Sequence, residues 1–315
     1  MMCHPAVSST RAGTVSAIVL AFLSACSAAN VRAQVETGSA SAGDGDDRGP
    51  AATGAERPSA PHRALALYWY GKDYPSNVVF DRALQAALQT APEAVEYYAE
   101  YLESNRFPGE DQAQNLRDYL RAKYERQIDV VLAVSPPPLN FLLDYRASLF
   151  SSTPIVFYTS AGLPARPDAD MAEIAGIFTP DAYEKTLGLA LALHPETRQV
   201  FIVSGTPGRE RLIEDEVRQQ MAGFESRIEL AYLTDLPLDT LLATVRSLPR
   251  ESVILYARQS QDEPGRALSP IDFLKLMEHA APVPIYSPGE TYVGNGTVGG
   301  HVVDIAAGAV KTAEI

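Results

Sequence analysis

Residues 128–158 read IDVVLAVSPPPLNFLLDYRASLFSSTPIVFY, and their pattern decides the fold. Ile128 to Val134 is a valine-rich apolar run interrupted only by Asp129, which suits a strand buried on both faces. Leu139 to Phe150 has helical spacing, and Pro154 to Tyr158 is again a short run of β-branched and aromatic residues. A strand, a helix and a second strand in that order make a crossover, so the two strands lie parallel in one sheet.

The same rhythm extends in both directions. Upstream, Ala64 to Tyr70 reads as a strand, followed by a helix from about Ser76, its expected N-cap, in which Phe80, Leu84, Ala87 and Leu88 share a face. Ala94 to Tyr101 reads as a strand, and Asp111 to Arg126 as a helix. Downstream, beyond the loop Pro164 to Asp168, the alternation restarts. Ile174 to Phe178, Gln199 to Val203, Arg227 to Tyr232, Ser252 to Ala257 and Val283 to Tyr286 are expected strands. Asp181 to Leu193, Pro207 to Phe224, Leu238 to Leu248 and Pro270 to Ala281 are expected helices, and His301 to Asp304 is a last short strand. The expected fold class is α/β, with two doubly wound parallel-sheet lobes and a ligand cleft between them. Residues 63–176 form lobe 1, 177–286 form lobe 2, and 287–315 return to lobe 1.

In open α/β sheets ligands collect beyond the carboxyl ends of the strands, so the residues there carry the candidate chemistry. Tyr70-Gly71-Lys72-Asp73-Tyr74, Ser135-Pro136 and Tyr158-Thr159-Ser160 end strands of the first lobe. Ser204-Gly205, Arg258-Gln259 and Ser287-Pro288-Gly289-Glu290 end strands of the second. Hydroxyls and helix-start donors suit a carboxylate, and tyrosine rings cover a flat or apolar group. Taken singly, each serine or threonine is equally a helix N-cap and each tyrosine a core residue.

Composition excludes other classes. Among 315 residues, 46% are hydrophobic, and Lys+Arg number 26 against 39 Asp+Glu, for a formal charge of −13. Such a balance opposes a broad phosphate-binding surface, so no nucleic-acid partner is expected. The only cysteines, Cys3 and Cys26, lie in the first thirty-three residues, which leaves the body without a thiol for catalysis or metal binding. His4, His62, His194, His279 and His301 have no zinc-helix spacing, and there is no Gly-x-Ser-x-Gly or P-loop. Gly294 to Gly299 spells G-x-G-x-x-G but precedes a strand where a dinucleotide site needs a helix. No cofactor, no metal and no catalytic set are expected. An exported α/β enzyme with an unrecognised active site is the alternative from another class, and a receptor for a protein partner is a third.

The N-terminus reads as an export leader, residues 1–33. Arg11 precedes the apolar stretch Ala12 to Ala29, and Val31-Arg32-Ala33 suits signal peptidase. Leu23-Ser24-Ala25-Cys26 competes as a lipobox in which Cys26 would be acylated, and retention as a single anchor is a third outcome. Residues 34–62 hold one valine and no Leu, Ile or aromatic residue, the composition of a flexible tether. The body is therefore expected in the periplasm, with membrane association only through the leader, lipid or anchor.

Several segments carry a family resemblance: Glu93 to Phe107 (EAVEYYAEYLESNRF), Leu193 to Val200 (LHPETRQV), Tyr256 to Gly265 (YARQSQDEPG), and Pro284-Ile285-Tyr286 through Val293 to Asp304 (VGNGTVGGHVVD). From about Arg63 to Ile315 the chain resembles the ABC-transporter-type substrate-binding sensor domain found at the periplasmic N-terminus of bacterial histidine kinases. That domain is similar to the tryptophan/tyrosine-type periplasmic binding proteins. The resemblance implies a type I periplasmic binding protein fold closing on a small ligand, and a membrane permease or kinase module as partner. By motif position it implies a pocket of Tyr70, Lys72, Asp73, Tyr74, Ser135, Pro136, Tyr158, Thr159, Ser160, Phe178, Thr179, Asp181, Tyr183, Ser204, Gly205, Tyr256, Gln259 and Glu290. Members continue past this point, whereas the chain stops at Ile315 inside what reads as a helix. It is thus expected to be a truncated product or a fragment, with any kinase activity in a C-terminal region outside it.

Overall fold

The computed structural model describes residues 60–124, 127–160, 173–205, 211–234, 236–259, 261–263 and 266–315. The leader with Cys26, the tether up to residue 59, the loop Pro164 to Asp168, Thr206 and Ser260 lie outside the described residues.

The first sheet comprises β1 (His62–Tyr68), β2 (Val95–Tyr101), β3 (Val130–Val134), β4 (Ile155–Thr159) and β5 (Ile174–Phe178), in the order β2-β1-β3-β4-β5 with every neighbouring pair parallel. Helices α1 (Pro75–Gln89), α2 (Glu110–Tyr124) and α3 (Pro136–Asp144) supply the crossovers. Alternation along the strands sorts their side chains to two cores. Leu65, Leu67, Val131, Ala133, Ile155 and Phe157 face Leu120 and Tyr124 of α2 and Leu139, Phe141 and Leu142 of α3. Ala64, Ala66, Tyr68, Leu132, Val134 and Val156 face Phe80 and Leu84 of α1. The boundary drawn at 176/177 falls inside β5, which pairs with β4 from Ile174 through Phe178.

The second sheet repeats the plan. After α4 (Tyr183–Leu193) come β6 (Gln199–Ser204), α5 (Arg211–Met221), β7 (Glu229–Leu233), α6 (Leu238–Arg246) and β8 (Ser252–Arg258). A small hairpin of β9 (Gln261–Glu263) and β10 (Arg266–Ala267) follows, then α7 (Pro270–Ala280) and β11 (Ile285–Tyr286). The order is β11-β8-β6-β7, again parallel. Val203, Ile254, Tyr256 and Ile285 pack on α6 and α7, while Ile202, Val253, Leu255 and Ala257 pack on α4 and α5 through Tyr183, Leu187, Val217 and Met221. In each lobe the connections reverse direction beside the first strand, between β1 and β3 and between β6 and β8. Those are the positions where doubly wound sheets leave a crevice.

The chain crosses between sheets at 179–182 and again at 287–304, and ends in α8 (Ile305–Ala313), which packs on α1, β4 and β5. Ala309 of α8 is buried in the first lobe's core. Three local expectations are corrected. Residues 301–304 form no strand: the backbone makes two isolated bridges before them, Val293 with Thr297 and Tyr286 with Gly299, and Asp304 then caps α8 by accepting from Ala307 N–H at 2.8 Å. Helix α1 is capped at Tyr74 and not Ser76, because Pro75 takes its first position, where a missing N–H costs nothing. Helix α3 likewise starts earlier than Leu139, on Pro136.

Candidate functional site

A cavity of about 910 Å³, its mouth included, opens where the carboxyl ends of both sheets meet. Its first wall follows β1. Asn77, buried in α1, donates its side-chain amide to the carbonyls of Tyr70 (2.8 Å) and Gly71 (3.1 Å), and Tyr74 N–H returns to Gly71 O at 3.1 Å. This turn stacks three rings face to face. Trp69 and Tyr70 lie 4.5 Å apart between centroids, and Tyr70 and Tyr74 lie 4.1 Å apart. Phe80 and Tyr158, 4.9 Å apart, continue the apolar surface. Tyr74 also packs against the second lobe's core, which holds Tyr256 and Tyr292.

The second wall is polar. Thr159, Ser160 and Thr179 line it beside Asp181 and Tyr183 at the start of α4. The Tyr183 hydroxyl donates to Asp181 Oδ2 at 3.3 Å, and Gln220 donates to the Asp181 carbonyl at 2.8 Å. Burial raises the Asp181 carboxyl above its ordinary value, against the opposing pull of Arg258, Tyr183 and Ser160. Arg258, the last residue of β8, brings its guanidinium 5.4 Å above the Trp69 ring. Burial works against that charge, but Tyr292, Tyr70, Tyr74 and Asp181 outweigh it and hold Arg258 protonated. Arg258 and Asp181 attract each other without a direct ion pair.

Several buried polar atoms of the lining residues have no hydrogen-bond partner: Trp69 Nε1, Ser135 Oγ and Arg258 Nε. Ser135 also has φ 86° and ψ 166°, a backbone region open almost only to glycine, of the kind that clusters at ligand clamps.

Of the residues nominated from sequence, Tyr70, Tyr74, Ser135, Tyr158, Thr159, Ser160, Thr179, Asp181, Tyr183 and Glu290 come together around this cavity. Glu290 already accepts the Ile305 N–H at 3.0 Å, so one of its oxygens serves the start of α8. The others lie outside. Lys72 and Asp73 face a separate groove on α1 with Asp81, Arg82 and Tyr101. Phe178 is half exposed, and Pro136 starts α3 behind the wall. Ser204 and Gly205 end β6 beneath the cavity lining. Tyr256 is fully buried in the core, where its hydroxyl accepts from Gln259 N–H at 3.2 Å and donates to Pro270 O at 2.8 Å. Gln259 is buried with it.

Sequence reasoning left out Trp69, Asn77, Arg258 and Tyr292. Arg258 carried a signal, since it occupies a strand-end position. Asn77 and Tyr292 carried none, because their roles depend on turns that only the folded chain brings together. Among the described residues no group of His, Cys, Asp or Glu has metal-site geometry, and no helix is long and apolar enough to cross a membrane.

No family model matches the chain, and no curated protein does. Its structure is similar to the ABC domain in complex with L-Trp from Streptococcus pneumoniae, at 14% identity over 81% of this chain and 83% of that one, TM-score 0.59. It is also similar to a ligand-free, open substrate-binding protein with adhesive properties from Clostridium difficile, at 12% identity over 80% and 83%, TM-score 0.53. A third likeness is to an ABC-transporter solute-binding protein of Rhodopseudomonas palustris in complex with benzoate, at 12% identity over 75% and 66%, TM-score 0.50. The fold is that of the type I periplasmic binding proteins. The two-lobed expectation is met, with the cavity at the crevice of both sheets.

Proposed function

We propose that the chain is an exported small-molecule receptor that closes its two lobes on a small organic acid or amino-acid-like ligand with an apolar or aromatic part. The observation that carries this is one cavity pairing the Trp69, Tyr70 and Tyr74 stack of the first lobe with the half-buried Arg258 of the second. Aromatic faces desolvate a flat group, and a guanidinium fixes an acid. The likeness to structures holding L-Trp and benzoate supports the reading, since both molecules join a carboxylate to an aromatic body. The receptor acts by binding and not by turnover, as the sensor module of a signalling receptor or the substrate-binding component of an ABC transporter, with a kinase module or a permease as partner.

Closure would bend the crossings at 179–182 and 287–304, where a few residues between elements absorb the change in backbone angles. Export follows from the leader. In a Gram-negative host the protein is expected in the periplasm, and Cys26→Ser is expected to release it from the membrane if the lipobox is used.

The test is native mass spectrometry of the purified protein for a co-purifying small molecule, followed by a thermal-shift screen of amino acids, aromatic acids and short-chain carboxylates. A cognate ligand at 100 times its Kd adds about 2.7 kcal/mol, a melting shift of roughly 2 to 4 °C at this size. A response confined to metal ions, nucleotides or neutral sugars overturns the proposal.

A further inference from the structure

The way round in which a ligand sits follows from which buried donors are still free. Ser135 at the head of α3 is the helix start that the sequence nominates for an acid. A helix start binds anions through its unsatisfied N–H groups, and here they are missing. Pro136, Pro137 and Pro138 occupy the first three helical positions and have no N–H. The remaining one, Ser135 N–H, is given to the Tyr158 carbonyl at 2.7 Å. Leu139 N–H, the next along, turns back to Ser135 O at 3.4 Å. The first lobe therefore offers the Ser135 hydroxyl at this point, and a hydroxyl binds neutral and anionic oxygen alike.

The donors at Trp69 and Arg258 differ. Arg258 Nε and Trp69 Nε1 are buried without partners, and both atoms only donate. Asp181, a carboxylate whose charge acts on Arg258, is engaged by Tyr183 and Ser160 and makes no ion pair with Arg258. One donor comes from each lobe, the guanidinium lies over the indole, and both residues line the same cavity.

We propose that the acidic group of the ligand is received by Arg258 Nε–H with Trp69 Nε1–H beside it, that its apolar body runs toward Tyr158 and Phe80, and that Arg258, not the α3 start, sets the preference for an acid. The inference rests on reading this cavity as a small-molecule site.

Trp69 is the only tryptophan in the chain, so its fluorescence reports this cavity alone. The full chain is titrated with phenylacetate, 3-phenylpropionate and hexanoate, each paired with its carboxamide, following Trp69 fluorescence and melting temperature. The wild type is expected to bind acids about tenfold or more tightly than amides, the scale of a charge-assisted hydrogen bond. Arg258→Gln is expected to bring that ratio near one, and Arg258→Lys, which keeps the charge without the Nε–H, to retain part of it. Ser135→Ala is expected to weaken acid and amide alike and leave the ratio in place.

Equal binding of acids and amides by the wild type overturns the inference, as does an acid preference that survives Arg258→Gln or disappears in Ser135→Ala. Binding of amides alone overturns it while sparing the receptor reading. If no probe binds, a co-purifying molecule without an acidic group, or an acidic one retained by Arg258→Gln, overturns the inference alone. No response to any probe, with nothing co-purifying, overturns both.

Discussion

Gly308 of α8 lies directly against the ring of Tyr158 at the end of β4: a methyl group at that position would collide with ring Cε2 and stand 2.8 Å from Cζ. Phe80 packs on the same ring at a centroid distance of 4.9 Å, which limits how Tyr158 can shift. The C-terminal helix thereby sets where one wall of the cavity stands. Gly308→Ala is expected to destabilise by about 1–3 kcal/mol through overpacking, despite alanine's better helix propensity. Thermal denaturation checks this, and an unchanged or raised melting temperature would show that Tyr158 yields freely.

Ser135 gives a prediction with two opposite signs. Its backbone, at φ 86° and ψ 166°, suits glycine, so Ser135→Gly is expected to relieve strain and stabilise by about 1 kcal/mol. Ser135→Ala keeps the strain and should not. Both remove the buried hydroxyl and should weaken binding of an aromatic acid. Urea unfolding of the two variants side by side separates the effects, and equal stability would mean that the strain is absent.

Asn77 holds the loop that carries the ring stack. It is buried, and its amide serves the carbonyls of both Tyr70 and Gly71. Asn77→Ala leaves those acceptors without that donor, at an expected cost of about 1–3 kcal/mol, and frees Tyr70 and Tyr74 from their fixed turn. The measurement is Trp69 fluorescence, since the indole stacks on Tyr70. An emission spectrum identical to wild type would show that the turn holds without Asn77.

The architecture was legible because alternation is local. Leu65 and Leu67 against Ala64, Ala66 and Tyr68 are sorted by strand period alone, and the crossover rule then makes the sheets parallel. The first-lobe wall was legible for the same reason, since Tyr70 and Ser135 follow strands and Tyr158 stands at the end of one. Arg258 stood at a strand end in the sequence, but that its guanidinium lies over Trp69 with Nε buried is set by the fold, which brings residues from the two sheets together. The triple proline was visible, but its meaning as a helix start without N–H donors required α3 to begin at Pro136 instead of Leu139. Lys72 and Asp73 were misplaced by the turn at Gly71, which sends them to the outer face of α1 while returning Tyr74 inward.

The last prediction concerns pH. Burial first, and then the neighbouring Asp181 charge, push Glu216 of α5 up from 4.5 to about 7, against the opposing effects of Gln220 and Arg258. Gln220 joins the two acids, donating to Glu216 Oε1 at 3.2 Å and to the Asp181 carbonyl at 2.8 Å. Because the folded state holds this proton more tightly than the unfolded chain, it binds more protons between pH 4.5 and about 7. Stability from Glu216 is therefore fully present below pH 4.5 and is lost as pH rises through about 7. Glu216→Gln keeps the shape and removes the titration. It is expected to stabilise the protein at about pH 8 by on the order of 1 kcal/mol, after allowing for solvent screening of a half-exposed group, and to bring no such gain at about pH 4. Asp181, whose carboxyl is also raised by burial, leaves a slope of the same sign in the variant. Urea denaturation of both proteins at the two pH values measures the difference directly. A variant whose gain is the same at both would show that the Glu216 charge is not what burial penalises.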